Sequence, residues 1–143
     1  MGANTNVLQQ AGARLQRYPL LYAAAALGLQ GVGRVRRRRQ IANYLRAHER
    51  RYLRIGSGSH TDPGWLSTDL LPVALDVVFM DATKAFPFPS GSFDAVQCEH
   101  VIEHVAHEAG IAMLTECRRV LRPGGVLRIA TPNLELVRRL FEG

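Results

Sequence analysis

Cysteine is scarce in this chain of 143 residues, with only Cys98 and Cys117 present. Two cysteines are too few for a disulfide framework, and neither belongs to a metal-type C-x-x-C pair. Both fall inside apolar segments, where a free cysteine behaves as a small buried hydrophobe, so a reducing cytoplasm is the expected compartment. Acid is scarce at the beginning of the chain. Residues 1–54 carry eleven arginines against the single acid Glu49, a balance of +10. Residues 55–143 carry seven basic and eleven acidic side chains, or −4. The net charge of +6 therefore describes a basic arm ahead of a mildly acidic globular part. A membrane-spanning run is also lacking. The apolar stretch at 19–33 (PLLYAAAALGLQGVG) falls short of the roughly 20 residues that a spanning helix needs. Preceded by Arg14 and Arg17 it has the outline of a signal peptide, but no small-residue cleavage site follows. Instead come Arg34, Arg36, Arg37, Arg38 and Arg39, which favour retention on the cytoplasmic side.

What is present suits one domain. The length leaves no room for two, and a chain of this size buries roughly 70% of the surface its unfolded form exposes. Residues 6–30 read as one or two helices that Gly31 and Gly33 break, and a second helix is expected over 37–48, with Ile41, Tyr44 and Leu45 on one face. The period then changes. Strands are expected at 52–55, 65–69, 77–80, 93–98 and 126–130, a helix at 108–121, and a last helix from about Asn133. The helix at 108–121 has a marked stop, with Arg118, Arg119 and Arg122 followed by Pro123, Gly124 and Gly125. Apolar strands separated by helices and loops predict a mostly parallel α/β sheet of five strands, covered on both faces. The basic helical extension would occupy 1–50 and the α/β core 51–143.

In open α/β sheets, ligands bind beyond the carboxyl ends of the strands. Those positions hold Gly56, Ser57 and Gly58 after the first strand, Asp69 after the second, Asp81 after the third, and Glu99 and His100 after the fourth. Acids at three of four strand ends suit a ligand with a ribose diol and an exocyclic amine. The glycine loop alone is weak evidence. It lacks the third glycine of the dinucleotide fingerprint, and Asp69 lies 13 residues past Gly56 rather than about twenty. The link from Ser57 to Gly64 is too short for a crossover helix, so it must be a tight loop with at most one helical turn. Losing that helix loses the dipole that holds a pyrophosphate. This excludes a nicotinamide dinucleotide better than it excludes a nucleoside without phosphates.

Three segments in sequence carry a family resemblance: 52–70 (YLRIGSGSHTDPGWLSTDL), 81–105 (DATKAFPFPSGSFDAVQCEHVIEHV) and 116–132 (ECRRVLRPGGVLRIATP). In order and spacing they resemble successive motifs of the class I S-adenosylmethionine-dependent methyltransferases of the type 11 domain group, with a Rossmann-like fold. The resemblance covers about residues 50–137. It implies S-adenosylmethionine as cofactor, with Gly56, Ser57 and Gly58 admitting its methionine part. It also implies that Asp69 accepts the ribose hydroxyls, that Asp81 with the Ala82 backbone faces the adenine, and that Glu99 and His100 flank the sulfonium. Ser57 departs from the usual loop, which has a cysteine or a second-glycine variant. The family's sheet normally has seven strands, the last two antiparallel. The chain is therefore expected to be a C-terminal truncation that lacks part of the acceptor pocket. The acceptor expected from the resemblance and the apolar N-terminal helix is a small molecule, a sugar or a lipid-linked compound rather than nucleic acid.

Each residue also has a plainer reading. His100, Val101, Ile102, Glu103 and His104 match H-x-x-E-H, but a zinc site needs both histidines on one helical face and a further ligand, so no metal is expected and a polar helix start with a partly packed His104 is the alternative. His100 or Glu103 could act as a general base, although methyl transfer needs chiefly in-line placement. Asp69 and Asp81 could be turn residues or helix caps. Trp65 and Phe93 read as core aromatics, while His48 and His107 are expected to face solvent. The arginines from Arg34 to Arg39 could meet nucleic acid, an anionic membrane surface or only water. Aromatics that would stack bases are not interleaved with them. Two rival functions stay open: a non-catalytic cofactor- or partner-binding module, and an RNA-modifying methyltransferase that uses the basic arm.

Overall fold

The computed structural model describes residues 19–142. Helix α1 spans Pro19–Ala47, strand β1 Tyr52–Ile55, β2 Trp65–Asp69, β3 Val78–Phe79 and β4 Phe93–Glu99. A short 3₁₀ turn at Ile102–His104 leads to helix α2 (His107–Val120), strand β5 (Leu121–Ala130) and helix α3 (Leu134–Glu142). The sheet order is β3-β2-β1-β4-β5, and all four pairings are parallel.

Alternation along the strands sorts the two faces. Val78, Thr68, Ile55, Cys98 and Ile129 stand in register across the sheet and share one face, where α2 contributes Met113, Cys117 and Val120 to the core. The burial of Gly110, Met113, Cys117 and Val120 at i, i+3, i+7 and i+10 is the helical period that the sequence displays. Phe79 and Trp65 belong to the other face, and α1 lies there. Its Gly33 meets the Phe79 side chain, and its Tyr44 stacks on Phe93 at 6.4 Å between centroids.

The expected break at Gly31 and Gly33 is absent, and α1 runs through both; the part of that expectation covering residues 6–18 lies outside the described residues. A glycine in a helix costs about 1 kcal/mol relative to alanine. At Gly33 packing offsets it, since a Cβ there would come within 2.7 Å of Phe79 Cβ and 2.8 Å of Pro72 Cγ. The β1–β2 link is a pair of turns with no helix, closed by the His60 N–H on the Ser57 carbonyl and the Trp65 N–H on the Asp62 carbonyl. The β2–β3 link is equally short. Helix α1 covers the face that crossover helices would occupy, and ties both links down. The Tyr44 hydroxyl accepts the Tyr52 N–H at 2.8 Å and reaches the Gly64 carbonyl at 2.8 Å. Arg36 and Gln40 both donate to the Leu75 carbonyl.

Other differences are local. Helix α2 ends at Val120, before Arg122, and β5 follows at once, with a register shift between Phe93 and Ala95 that accommodates Pro123, Gly124 and Gly125. Arg119 does not cap the helix; it binds Glu116 and the carbonyls of Phe86 and Phe88. Trp65 is only partly buried, tilted against Tyr52 with Arg54 over its ring. His48 stacks on Tyr44 at 4.4 Å instead of standing in solvent. His104 is exposed rather than packed. Among the described residues, no helix is long and apolar enough to cross a membrane.

Candidate active site

The carboxyl ends of β1 and β4 border a cleft of about 430 Å³, lined by Arg54, Gly56, Ser57, Gly58, His60, Glu99 and His100. The loop after β1 turns sharply because Gly56 and Gly58 adopt φ of +68° and +58°, a region that other L-residues enter only with strain. Gly56 is required for a second reason: a Cβ would lie 2.2 Å from Val101 Cγ2. Between them Ser57 is buried, its N–H donating to the Thr68 carbonyl. Its Oγ has no hydrogen-bond partner. A buried hydroxyl without a partner is costly, and Ser57 borders the cleft.

Asp69 ends β2, and its carboxylate spans the loop. Oδ2 accepts the Gly58 N–H at 2.8 Å and Oδ1 accepts the Leu71 N–H at 2.8 Å. Each oxygen has two lone pairs, so acceptor capacity remains after both bonds. Glu99 accepts from Gln97 at 2.8 Å and pairs with Arg128 of β5. His100 is the one non-glycine residue with positive φ among those described, at +53°, a conformation that clusters at functional sites. Its N–H donates to the Ala130 carbonyl, and its exposed ring holds Nδ1 at 3.2 Å from Glu103 Oε1.

The cleft thus brings together Gly56, Ser57, Gly58, Glu99 and His100, with Asp69 joined through Gly58. Asp81 is apart from them. It lines a second cleft of about 260 Å³ with Arg34, Arg37, Phe79 and Lys84, and its Oδ1 takes the Thr83 N–H and hydroxyl, as a turn residue does. Ala82 is half-buried against the core. Sequence reasoning missed Arg54, His60 and Arg128. Arg54 binds Asp62 at 2.7 Å and lies over the Trp65 ring. Only the β4–β5 register, Gln97 opposite Arg128, shows that Arg128 can reach Glu99. The H-x-x-E-H stretch is no helical metal face, because Ile102–His104 is a single 3₁₀ turn and His100 precedes it with positive φ. Among the described residues, no group of three His, Cys, Asp or Glu side chains could hold a metal ion.

Residues 55–129 match the family described as the methyltransferase domain, which is more than half of the chain. The chain belongs to that family. It is a class I methyltransferase domain of the type 11 group, and membership implies S-adenosylmethionine as the cofactor. A Mycolicibacterium smegmatis protein named as an S-adenosylmethionine-dependent methyltransferase is 49% identical over 47 residues, 33% of this chain and 18% of its own length. The ubiquinone biosynthesis O-methyltransferase of Xanthomonas oryzae pv. oryzae is 46% identical over 44 residues, 31% of this chain and 18% of its own length. The chain thus matches under a fifth of either relative. Among solved structures, a Bacillus halodurans methyltransferase is similar at 21% identity and a TM-score of 0.44, covering 71% of this chain and 52% of its own. A chain of the Haloferax volcanii complex between the Trm112 activator and a methyltransferase has the same identity and TM-score, covering 75% and 57%. The larger cleft fits the cofactor through its turn of Gly56 and Gly58, and the Asp69 carboxylate bound to Gly58 beside it has spare lone pairs.

Proposed function

We propose that the methyltransferase domain, centred on residues 51–143 with 1–50 as an extension, takes part in S-adenosylmethionine-dependent methyl transfer. The observation that carries this reading is the Asp69 carboxylate bridging to Gly58 N–H beside the partnerless Ser57 hydroxyl. When bound, S-adenosylmethionine supplies an electrophilic methyl carbon on a sulfonium sulfur. Gly56, Ser57 and Gly58 take its methionine part, with Ser57 Oγ as a donor. Asp69 accepts the ribose hydroxyls through its remaining lone pairs. The family resemblance is what assigns Asp81 and the Ala82 backbone to the adenine, since Asp81 lines the second cleft. Glu99 lies on the sulfonium side, where a carboxylate favours positive charge, and Arg128 and Gln97 hold it in one orientation.

His100 is assigned to receive the acceptor's proton. In support, His100 borders the cleft, its ring is exposed and Glu103 stands at Nδ1, so Nε2 would be the nitrogen left for the proton. The acceptor in this reading is a small molecule, a sugar or a lipid-linked compound, in keeping with the exposed Leu20, Leu27 and Val32 of α1.

Calorimetric titration of S-adenosylmethionine into the chain and into Asp69→Ala tests the cofactor site. Micromolar binding by the parent with a loss of about tenfold or more in the variant is expected, since tenfold is about 1.4 kcal/mol and suits one charge-assisted contact. Equal affinity of the two would remove Asp69 from the site. Silence from both the folded chain and a C-terminally extended one would sink the cofactor assignment.

A further inference from the structure

Helix α1 divides along its length into two kinds of surface. Residues 19–33 contain no charged side chain, and Arg34, Arg36, Arg37, Arg38 and Arg39 follow within six residues. The helix buries its Gly33, Ile41 and Tyr44 side against the sheet. On the opposite side the apolar residues stand in solvent: Leu20 is 87% exposed, Leu27 68%, Val32 57% and Val35 82%. Leu20, Ala24, Leu27, Gly31, Val35 and Arg38 follow one another at helical spacing along this outward side. A cluster of exposed large apolar residues marks an interaction site rather than an ordinary surface.

The arginines divide as well. Arg34 and Arg37 lie over the Phe79 ring at 5.0 and 5.9 Å, and Arg36 donates to the Leu75 carbonyl. Arg38 and Arg39 are exposed, and no acid of the described residues pairs with any arginine from 34 to 39. Two exposed guanidiniums, without acidic partners among the described residues, thus continue an exposed apolar surface on the same side of one helix.

We propose that the outward side of α1 docks on an anionic phospholipid surface, lying in the plane of the interface. Leu20, Leu27, Val32 and Val35 enter the headgroup–acyl boundary, and Arg38 and Arg39 bind lipid phosphates, to which guanidinium donates in pairs. The charge decides the occupant. A neutral apolar partner would leave the arginines uncompensated, and a nucleic acid would leave the leucines and valines in water. The helix lies on the bilayer and does not cross it. This docking does not depend on the cofactor reading, because it needs no ligand in the cleft.

The test is co-sedimentation of the full chain with two kinds of vesicle, pure phosphatidylcholine and phosphatidylcholine with about one third phosphatidylglycerol. Binding to the anionic vesicles alone is expected, weakening as salt rises from about 0.1 to 0.5 M. Arg38→Glu with Arg39→Glu should lower apparent affinity by about tenfold or more. Leu20→Ser with Leu27→Ser should also lower it, with the far-ultraviolet circular dichroism unchanged because these side chains touch no core. Sedimentation with neither vesicle, or equally with both, overturns the proposal. So do variants that bind as the parent does, an RNA gel shift that needs Arg38 and Arg39 without vesicle binding, or a dimer that the leucine variants dissolve without vesicle binding.

Discussion

Gly56 and Val101 approach each other so closely that a single methyl group on Gly56 would sit 2.2 Å from Val101 Cγ2. The contact joins the loop after β1 to the segment after β4, the two walls of the larger cleft. Gly56 also has a φ of +68°, so an alanine there meets both a clash and an unfavourable backbone. Gly56→Ala should destabilise the fold by about 2–5 kcal/mol, from left-handed strain of about 1–2 and overpacking of about 1–3. Adding Val101→Ala should recover the clash part and leave the backbone part, so the double variant is less destabilised than the sum of the singles. Additive losses in urea unfolding would show that the contact is not the cause.

Tyr44 should matter more through its hydroxyl than its exposure suggests. Burial pushes its pKa up, against the lowering effect of the Tyr52 backbone hydrogen bond, so the group stays a neutral phenol that both accepts and donates. Tyr44→Phe leaves the Tyr52 N–H without its acceptor, which costs about 1–3 kcal/mol where the group stays dry. A lower urea midpoint with an unchanged slope is the expected outcome. A midpoint equal to the parent's would mean that water replaces the hydroxyl.

Acid should weaken the fold through two carboxylates. The Arg51 N–H, and after it Arg122, hold Asp94 below its ordinary pKa. The Arg119 guanidinium, and after it the Phe86 N–H, do the same for Glu116. A folded-state pKa below the unfolded one means that the unfolded chain binds more protons as the medium acidifies. The stability these groups contribute is therefore complete above about pH 4–5, the unfolded carboxylate range, and is lost as the pH falls through their lowered folded values. Asp94→Asn and Glu116→Gln should each flatten the acid limb of a stability–pH curve. An acid limb as steep as the parent's in both variants would place the effect elsewhere.

The two thiols should be inert in the folded chain. Burial pushes Cys98 up to about 11 and Cys117 up to about 12. Since the thiolate is the reactive form, an alkylating reagent at pH 7–8 should modify neither in the native protein and both after unfolding in urea. Rapid labelling of the native protein would contradict their burial.

Much of this molecule is local chemistry. The spans of β1 and β2 agree with the sequence reading because apolar runs there meet Gly56 and Asp69, residues that stop a strand. Once the sheet is parallel, every strand's carboxyl end faces the same edge, so Gly56, Ser57, Gly58, Asp69, Glu99 and His100 could be named from order alone. The clash that makes Gly56 a glycine, the pairing of Arg128 with Glu99 and the Tyr44 staple could not. Each joins residues distant in the chain, and depends on strand register or on how closely two segments approach. Gly33 shows the limit most plainly: read locally a glycine breaks a helix, whereas here its missing side chain lets α1 close on Phe79. Hydrophobic period and turn residues act over a few positions and are determined by sequence alone. Close approach and register are settled only when the whole core packs.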